Sequence, residues 1–387
     1  MSFSSHPLWL VGFRPFFALA CLSGLSLPVV WALMFSGAIE APAHAFSSTQ
    51  WHGHEMFFGF GLAVLGGFLL TASKNWVKIR GYHGAPLVFL AGAWCFERLG
   101  MWFGGAWPQP LFLLSNLLFL VSLVAMLLWT LLRHRDTDGY RRDNVFFLLA
   151  LPCFIVAKLL LLGESHAQAG QVMVLGLFRL AYLIMLERTL TEFMRGVFKA
   201  DILRQPLLDG AIKALALLLA FADFLPPLPA AGLALLLALL LLVRFAFWKP
   251  GLAFSRIDIG IMYLGYLALT AQLLVAALEA LVRIVWVGSV SIHLFTFGVM
   301  GLIAPAMLIR ISRGHTGRKV AFDAADRGVL RIMILGLLLR VIAPQVFPAA
   351  YLLWVGLAAA CWFACFATLA WRLIPMLLRP RVDGREH

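Results

Sequence analysis

The feature that most constrains this chain is a series of about twelve apolar runs, each bounded by connections that alternate between basic and free of Lys and Arg. The runs fall at about 15–37, 52–73, 85–104, 109–132, 144–163, 171–194, 210–222, 230–248, 257–283, 289–311, 328–345 and 350–374. A spanning helix needs roughly 20 apolar residues, so the pattern predicts an all-α polytopic membrane protein. About twelve transmembrane helices form a single integral membrane domain over 1–387. Pro226, Pro227 and Pro229 interrupt one long apolar stretch and predict a tight turn between the seventh and eighth helices.

Loop charge gives the orientation. Lys74, Lys78 and Arg80 follow the second helix, and Arg133, Arg135, Arg141 and Arg142 the fourth. Arg195, Lys199, Arg204 and Lys213 follow the sixth, and Arg244, Lys249 and Arg256 the eighth. Six more cations lie between Arg310 and Arg331, and Arg372, Arg379, Arg381 and Arg385 close the chain. The connections near 38–50, 105–108, 164–170, 223–229, 284–288 and 346–349 hold no Lys or Arg. By the positive-inside rule both termini are expected to be cytoplasmic.

Composition supports this reading: 62% of residues are hydrophobic and 13% charged, against about 25% charged in soluble domains. A soluble enzyme is excluded. The formal charge of +13 is accounted for by loop cations, so no nucleic-acid partner is expected and the lipid bilayer is the first partner. The five cysteines (21, 95, 153, 361 and 365) sit in apolar runs without metal-ligand spacing and imply no disulfide framework. No Lys or Arg occurs among residues 1–13, so the first apolar run is read as a retained span rather than a removable signal.

Seven cations remain inside or at the ends of spans: Arg14, Arg98, Lys158, Arg179, Arg188, Arg283 and Arg340. A cation at the centre of a span costs about 2.5–3.5 kcal/mol. Arg98, Lys158, Arg179, Arg283 and Arg340 all fall in outer halves, against the positive-inside bias. They either snorkel to the interface or meet anions. Glu97, Glu164 and Glu279 lie on the same side, and a bound dianion such as a pair of haem propionates would answer more of them.

Trp51-His52-Gly53-His54-Glu55-Met56 is the densest group of potential ligands. Imidazole binds haem iron and copper, and a thioether suits haem iron or copper(I). Residues two apart on a helix point about 200° apart, so His52 and His54 serve opposite faces unless one lies in a loop. The structural alternative is an interfacial belt with Glu55 complementing a helix N-terminus. His293, about one turn into the tenth helix, lies at similar depth, as in cross-helix ligation of a bundle cofactor. His315 in Gly314-His315-Thr316-Gly317-Arg318 lies 22 residues further on, about 33 Å along a continuous helix. It belongs either to a glycine-terminated helix end or to a second site near the cytoplasmic face. Arg188 and Glu192 are spaced to pair at i and i+4, and Tyr263 and Tyr266 either donate hydrogen bonds to a bound group or pack in the core.

These residues bring out a resemblance. Gly12-Phe13-Arg14-Pro15-Phe16-Phe17, Trp51 to Met56, Gly67-Phe68-Leu69-Leu70-Thr71-Ala72, His293 to Gly298, Arg310 to Arg318 and Pro375 to Gly384 resemble the motifs of the NnrS family of bacterial membrane proteins. The resemblance implies a twelve-helix, multi-pass protein of the bacterial inner (cytoplasmic) membrane that contains haem b, one or two groups, and copper. It implies a place in the nitric oxide response, in denitrification and nitrosative stress, with nitric oxide or a related small molecule as ligand. A quinol or a cytochrome would be the electron donor. The family's motif histidines map onto His52, His54, His293 and His315, and Arg98, Arg179, Arg283 and Arg340 would hold propionates. One departure is local: Leu186 to Met194 stands where many members carry a proline-containing stretch. The expected function is therefore that of a haem and copper protein with nitric oxide reduction as one possible activity. A transporter of haem, copper or a small anion is the rival reading.

Overall fold

The computed structural model describes residues 3–163, 165–282 and 284–385, so Arg283 and Glu164 lie outside the described residues. Among the described residues contiguous helical segments make twelve long helices, and no strand occurs. They are α1 (Phe13–Phe35), α2 (Ser48–Trp76), α3 (Ala85–Phe103), α4 (Gln109–Arg133), α5 (Arg141–Leu162) and α6 (Ala167–Phe198). Then follow α7 (Pro206–Leu218), α8 (Pro227–Phe247), α9 (Ile257–Leu281), α10 (Val290–His315), α11 (Ala324–Val346) and α12 (Pro348–Leu377). Ten are long and apolar enough to cross a membrane; α3 and α7 are the two outside that set. The chain is thus a multi-pass α-helical membrane protein.

Helix ends follow local chemistry. Ser47 and Gln50 form a reciprocal capping box, which starts α2 one turn before its apolar run and places His52 and His54 inside the helix. Asp323 and Asp326 do the same for α11. The proline cluster makes the expected turn: α7 tightens into a 3-10 segment, Leu219–Phe224, and α8 then starts with Pro227 at its first position.

The contacts divide the chain into two compact units. The first comprises Met1–Ala167, Met307–Ala321 and Phe366–His387, and so contains α1 to α5 with the ends of α10 and α12. Within it α1 packs on α2 and α3 on α4. Gly67 leaves room for Phe16 and Phe17, and Phe16 stacks on Phe119 at 5.5 Å. The second comprises Gln168–Ala306 and Phe322–Cys365. There α9 packs on both α8 and α10, with Ile303 seated against Gly265.

Two stretches depart from α geometry: Glu55–Gly61 in α2 and Thr296–Gly301 in α10 are π-helical. Such i→i+5 segments are rare and gather at functional sites. Each follows a motif histidine closely, His54 in α2 and His293 in α10. Paired glycines accompany both, and a Cβ at Gly59 would fall 2.3 Å from the Arg98 guanidinium while one at Gly298 would fall 2.7 Å from Ala268.

Gly176 tests the close packing. A Cβ there would meet the Ala220 Cα at 2.5 Å, a backbone atom that cannot rotate away. Gly176→Val is expected to cost about 1–3 kcal/mol, read as a lowered melting temperature of the detergent-solubilised chain.

Candidate functional site

In the first unit the π segment of α2 carries a buried ionic cluster. His54 and Glu55 are 1% and 2% exposed, and Glu97 of α3 and Lys158 of α5 are both 0%. Glu97 Oε1 is contacted by Lys158 Nζ, by Arg98 Nη2 at 2.6 Å and by His54 Nε2 at 3.4 Å. Glu55 pairs with Arg98 Nε at 3.3 Å and with His54 Nδ1 at 3.1 Å. Two carboxylates thus oppose two cations, with one imidazole between the carboxylates. A neutral imidazole can donate to only one of them, so this group is chemically equipped to share a proton. Lys158 also lies 4.9 Å from the Phe58 ring centre and Arg98 5.1 Å from that of Trp94. Trp94 Nε1 in turn donates to the Gly59 carbonyl of the π segment.

Arg98 and Lys158 therefore do not snorkel; they are partnered by the protein's own acids. His52 occupies the other face of α2 and stacks on Trp31 at 4.4 Å with planes 10° apart, as the 200° separation requires. Beside them Trp51 Nε1 and His44 Nε2 both reach the Met101 carbonyl, at 2.8 and 2.9 Å. Burial holds the His44 imidazole, in the connection before α2, below its ordinary pKa.

In the second unit a cavity of about 540 Å³ is lined by the first turns of α6, α8 and α10 and the last turns of α9. Arg179, 6% exposed, lines it, and its Nε has no hydrogen-bond partner among the described residues. Gln272 donates from Nε2 to Ser291 Oγ at 3.2 Å, while its buried Oε1 is likewise without a partner. Asp223 and Glu279 stand exposed at the rim. Ser291 and Ile292 belong to the same turn as His293. The His293 Nδ1 lies 2.7 Å from the Ser289 carbonyl. That contact places the ring proton on Nδ1 and the lone pair on Nε2, the tautomer that a metal-binding imidazole uses. The volume and the orphaned Arg179 and Gln272 atoms suit a ligand with an anionic edge.

His315 ends α10 in the first unit, its ring 5.4 Å from that of Phe13. Around it the sequence motifs knit together. Arg381 donates to the His315 carbonyl at 3.0 Å, Val382 N to the Thr316 carbonyl at 3.1 Å, and Asp383 closes against Gly317, whose φ is +78°. Arg381 holds the Asp383 carboxyl well below the usual carboxylate range. Arg14, fully buried, donates from Nη1 to the Leu377 and Arg379 carbonyls and so caps the end of α12.

Several readings shift. Lys213 and Arg244, counted among loop cations, are 2% and 0% exposed and pair with Glu187 at 3.3 Å each. Asp209 and Arg204 complete this second ionic cluster, Arg204 reaching Glu187 at 2.5 Å. Glu192 pairs with Arg195 at 3.6 Å. Tyr263 and Tyr266 donate to the Trp248 and Leu241 carbonyls, at 2.7 and 3.0 Å, which makes them core residues. Arg340 donates to the Tyr351 hydroxyl at 3.1 Å. Among the described residues no group of three or more His, Cys, Asp or Glu is arranged around one metal position.

The α2 cluster yields a charge-balance test. Glu97→Gln leaves Arg98 and Lys158 over-charged in a buried site and is expected to destabilise by about 3–5 kcal/mol. The double variant Glu97→Gln/Lys158→Met restores the balance and is expected to recover part of that loss, measured as thermal stability in detergent.

No curated protein matches the chain. The model of the family described as NnrS protein matches residues 7–381. That span covers both units and every motif histidine, and the segments that meet around Phe13, His315 and Arg381 all lie within it. On this match the chain is a member of the NnrS family.

Proposed function

We propose that this NnrS-family protein binds haem and copper, with His293 of α10 in the second unit and His52 or His54 of α2 in the first each as candidate ligands, and acts in nitric oxide metabolism or nitrosative-stress resistance at the bacterial inner membrane. The observation that carries the reading is the Arg179 cavity beside the turn of His293. A buried guanidinium without a carboxylate costs several kcal/mol, and an acidic ligand edge would answer it. Haem there would supply an iron centre that binds nitric oxide. The chain's own residues would hold it: His293 as a ligating imidazole, Arg179 for a propionate, and Gln272 and Ser291 as further polar contacts.

Optical and metal analysis of the full chain purified from haem-replete cells tests this. The expected result is a Soret band that shifts on adding nitric oxide and is lost in His293→Ala. A colourless, metal-free wild type overturns the reading, and substrate flux into liposomes by such haem-free protein would establish the transporter in its place.

A further inference from the structure

A second pocket, of about 290 Å³, lies wholly in the first unit at the end of the α2 and α4 spans. Its walls are the last turns of α2, the 79–83 connection, the start of α3 at Pro86 and the end of α4. Four potential cations line it, Lys74, Arg80, His83 and His134, together with the hydroxyls of Ser73, Tyr82 and Thr130. No Asp or Glu among the described residues lines it, and none pairs with Lys74 or Arg80. Elsewhere in this chain Glu97 and Glu187 gather the cations around them. Here the positive charge faces a space instead.

The pocket is also shaped. A Cβ at Gly81 would fall 2.8 Å from Lys74 Cδ and 3.3 Å from its Cβ, so the lysine stem lies flat along the connection because residue 81 has no side chain. Tyr82 OH donates to the Met126 carbonyl at 3.0 Å and receives Thr130 Oγ1 at 3.3 Å, which fixes the connection to α4. His83 Nδ1 is held by the Gly81 carbonyl at 3.0 Å. At the mouth Trp129 is 65% exposed, an aromatic ring of the kind that settles at membrane–water interfaces. A charged floor at a helix end beside an exposed interfacial tryptophan suits a head that is anionic and a body that is apolar.

We propose that this pocket binds a phosphate group, presented by the head of an anionic phospholipid. Lys74 and Arg80 supply the charge, Ser73 a neutral hydroxyl, and Trp129 the contact for the glycerol and upper acyl region. Basic pockets between spanning helices recognise anionic lipid heads through this chemistry, and charge-assisted contacts to phosphate oxygens are its strong component.

The test is the melting temperature of the full chain in detergent, titrated with phosphatidylglycerol, with phosphatidylcholine, and with inorganic phosphate against chloride at equal ionic strength. Phosphatidylglycerol is expected to raise it saturably and phosphatidylcholine not. Lys74→Gln/Arg80→Gln is expected to weaken the apparent affinity by at least about tenfold, and Lys74→Arg/Arg80→Lys to retain it. Protection by inorganic phosphate alone, lost in the same Gln variant, supports the phosphate site and assigns it to a soluble ion. Equal response to both lipids with none to phosphate overturns the proposal, as does full affinity in the Gln variant. Should that variant fail to elute as wild type does, Gly81→Ala decides, since it keeps every charge and displaces only the Lys74 stem: weakened phosphatidylglycerol binding supports the proposal and unchanged binding overturns it.

Discussion

Charge inside a low-dielectric span must be answered by charge of opposite sign, and this requirement organises both units of the chain. In the first, Glu97 holds Lys158, Arg98 and His54 around one carboxylate oxygen. In the second, Glu187 collects Arg204, Lys213 and Arg244, and Asp209 shares two of them. Removing one partner leaves an uncompensated buried ion, so each cluster couples helices that are far apart in sequence: α2, α3 and α5 in one case, α6, α7 and α8 in the other. Such pairs need not add net stability, because desolvation offsets the attraction. What they supply is a definite pairing of helices whose remaining surfaces are largely interchangeable apolar side chains.

Against that background Arg179 stands apart. It is as buried as the paired cations and borders a cavity, but unlike them it forms no ion pair with a carboxylate among the described residues. A buried cation in that condition is costly, and under the proposed function the anionic edge of a ligand would answer it. The two π-helical segments make the same point through the backbone. Each sits just beyond a motif histidine, and each depends on glycines, Gly59 to admit Arg98 and Gly298 to admit Ala268.

Much of the helical architecture was legible in the sequence because apolar runs are local signals. The opposed faces of His52 and His54 followed from helical geometry alone, as did the turn at Pro226–Pro229. The ion pairs were not legible. Glu97 and Lys158 are 61 residues apart and Glu187 and Arg244 are 57 apart, and spacing rules see only neighbours within a turn. Lys213 and Arg244 were placed with the loops for the same reason: charge suggested solvent, while distant carboxylates allowed burial. The π segments left a faint trace in Gly59-Phe60-Gly61 and in Gly298 with Gly301, but glycine pairs in apolar helices more often mark close packing. The cavity around Arg179 needed four helices in place before it existed at all.

Under the proposed function the buried cations are answered within the fold except Arg179, which the anionic edge of a ligand would answer. Comparing the melting temperature of Arg179→Met with that of Lys158→Met, both as full chains in detergent without added ligand, tests it most directly. The account predicts that Lys158→Met, which strands Glu97, melts well below wild type, while Arg179→Met melts at or above it because an unanswered charge has been removed. An Arg179→Met chain that loses as much stability as Lys158→Met would contradict it, since Arg179 would then be one more internal partner in the fold.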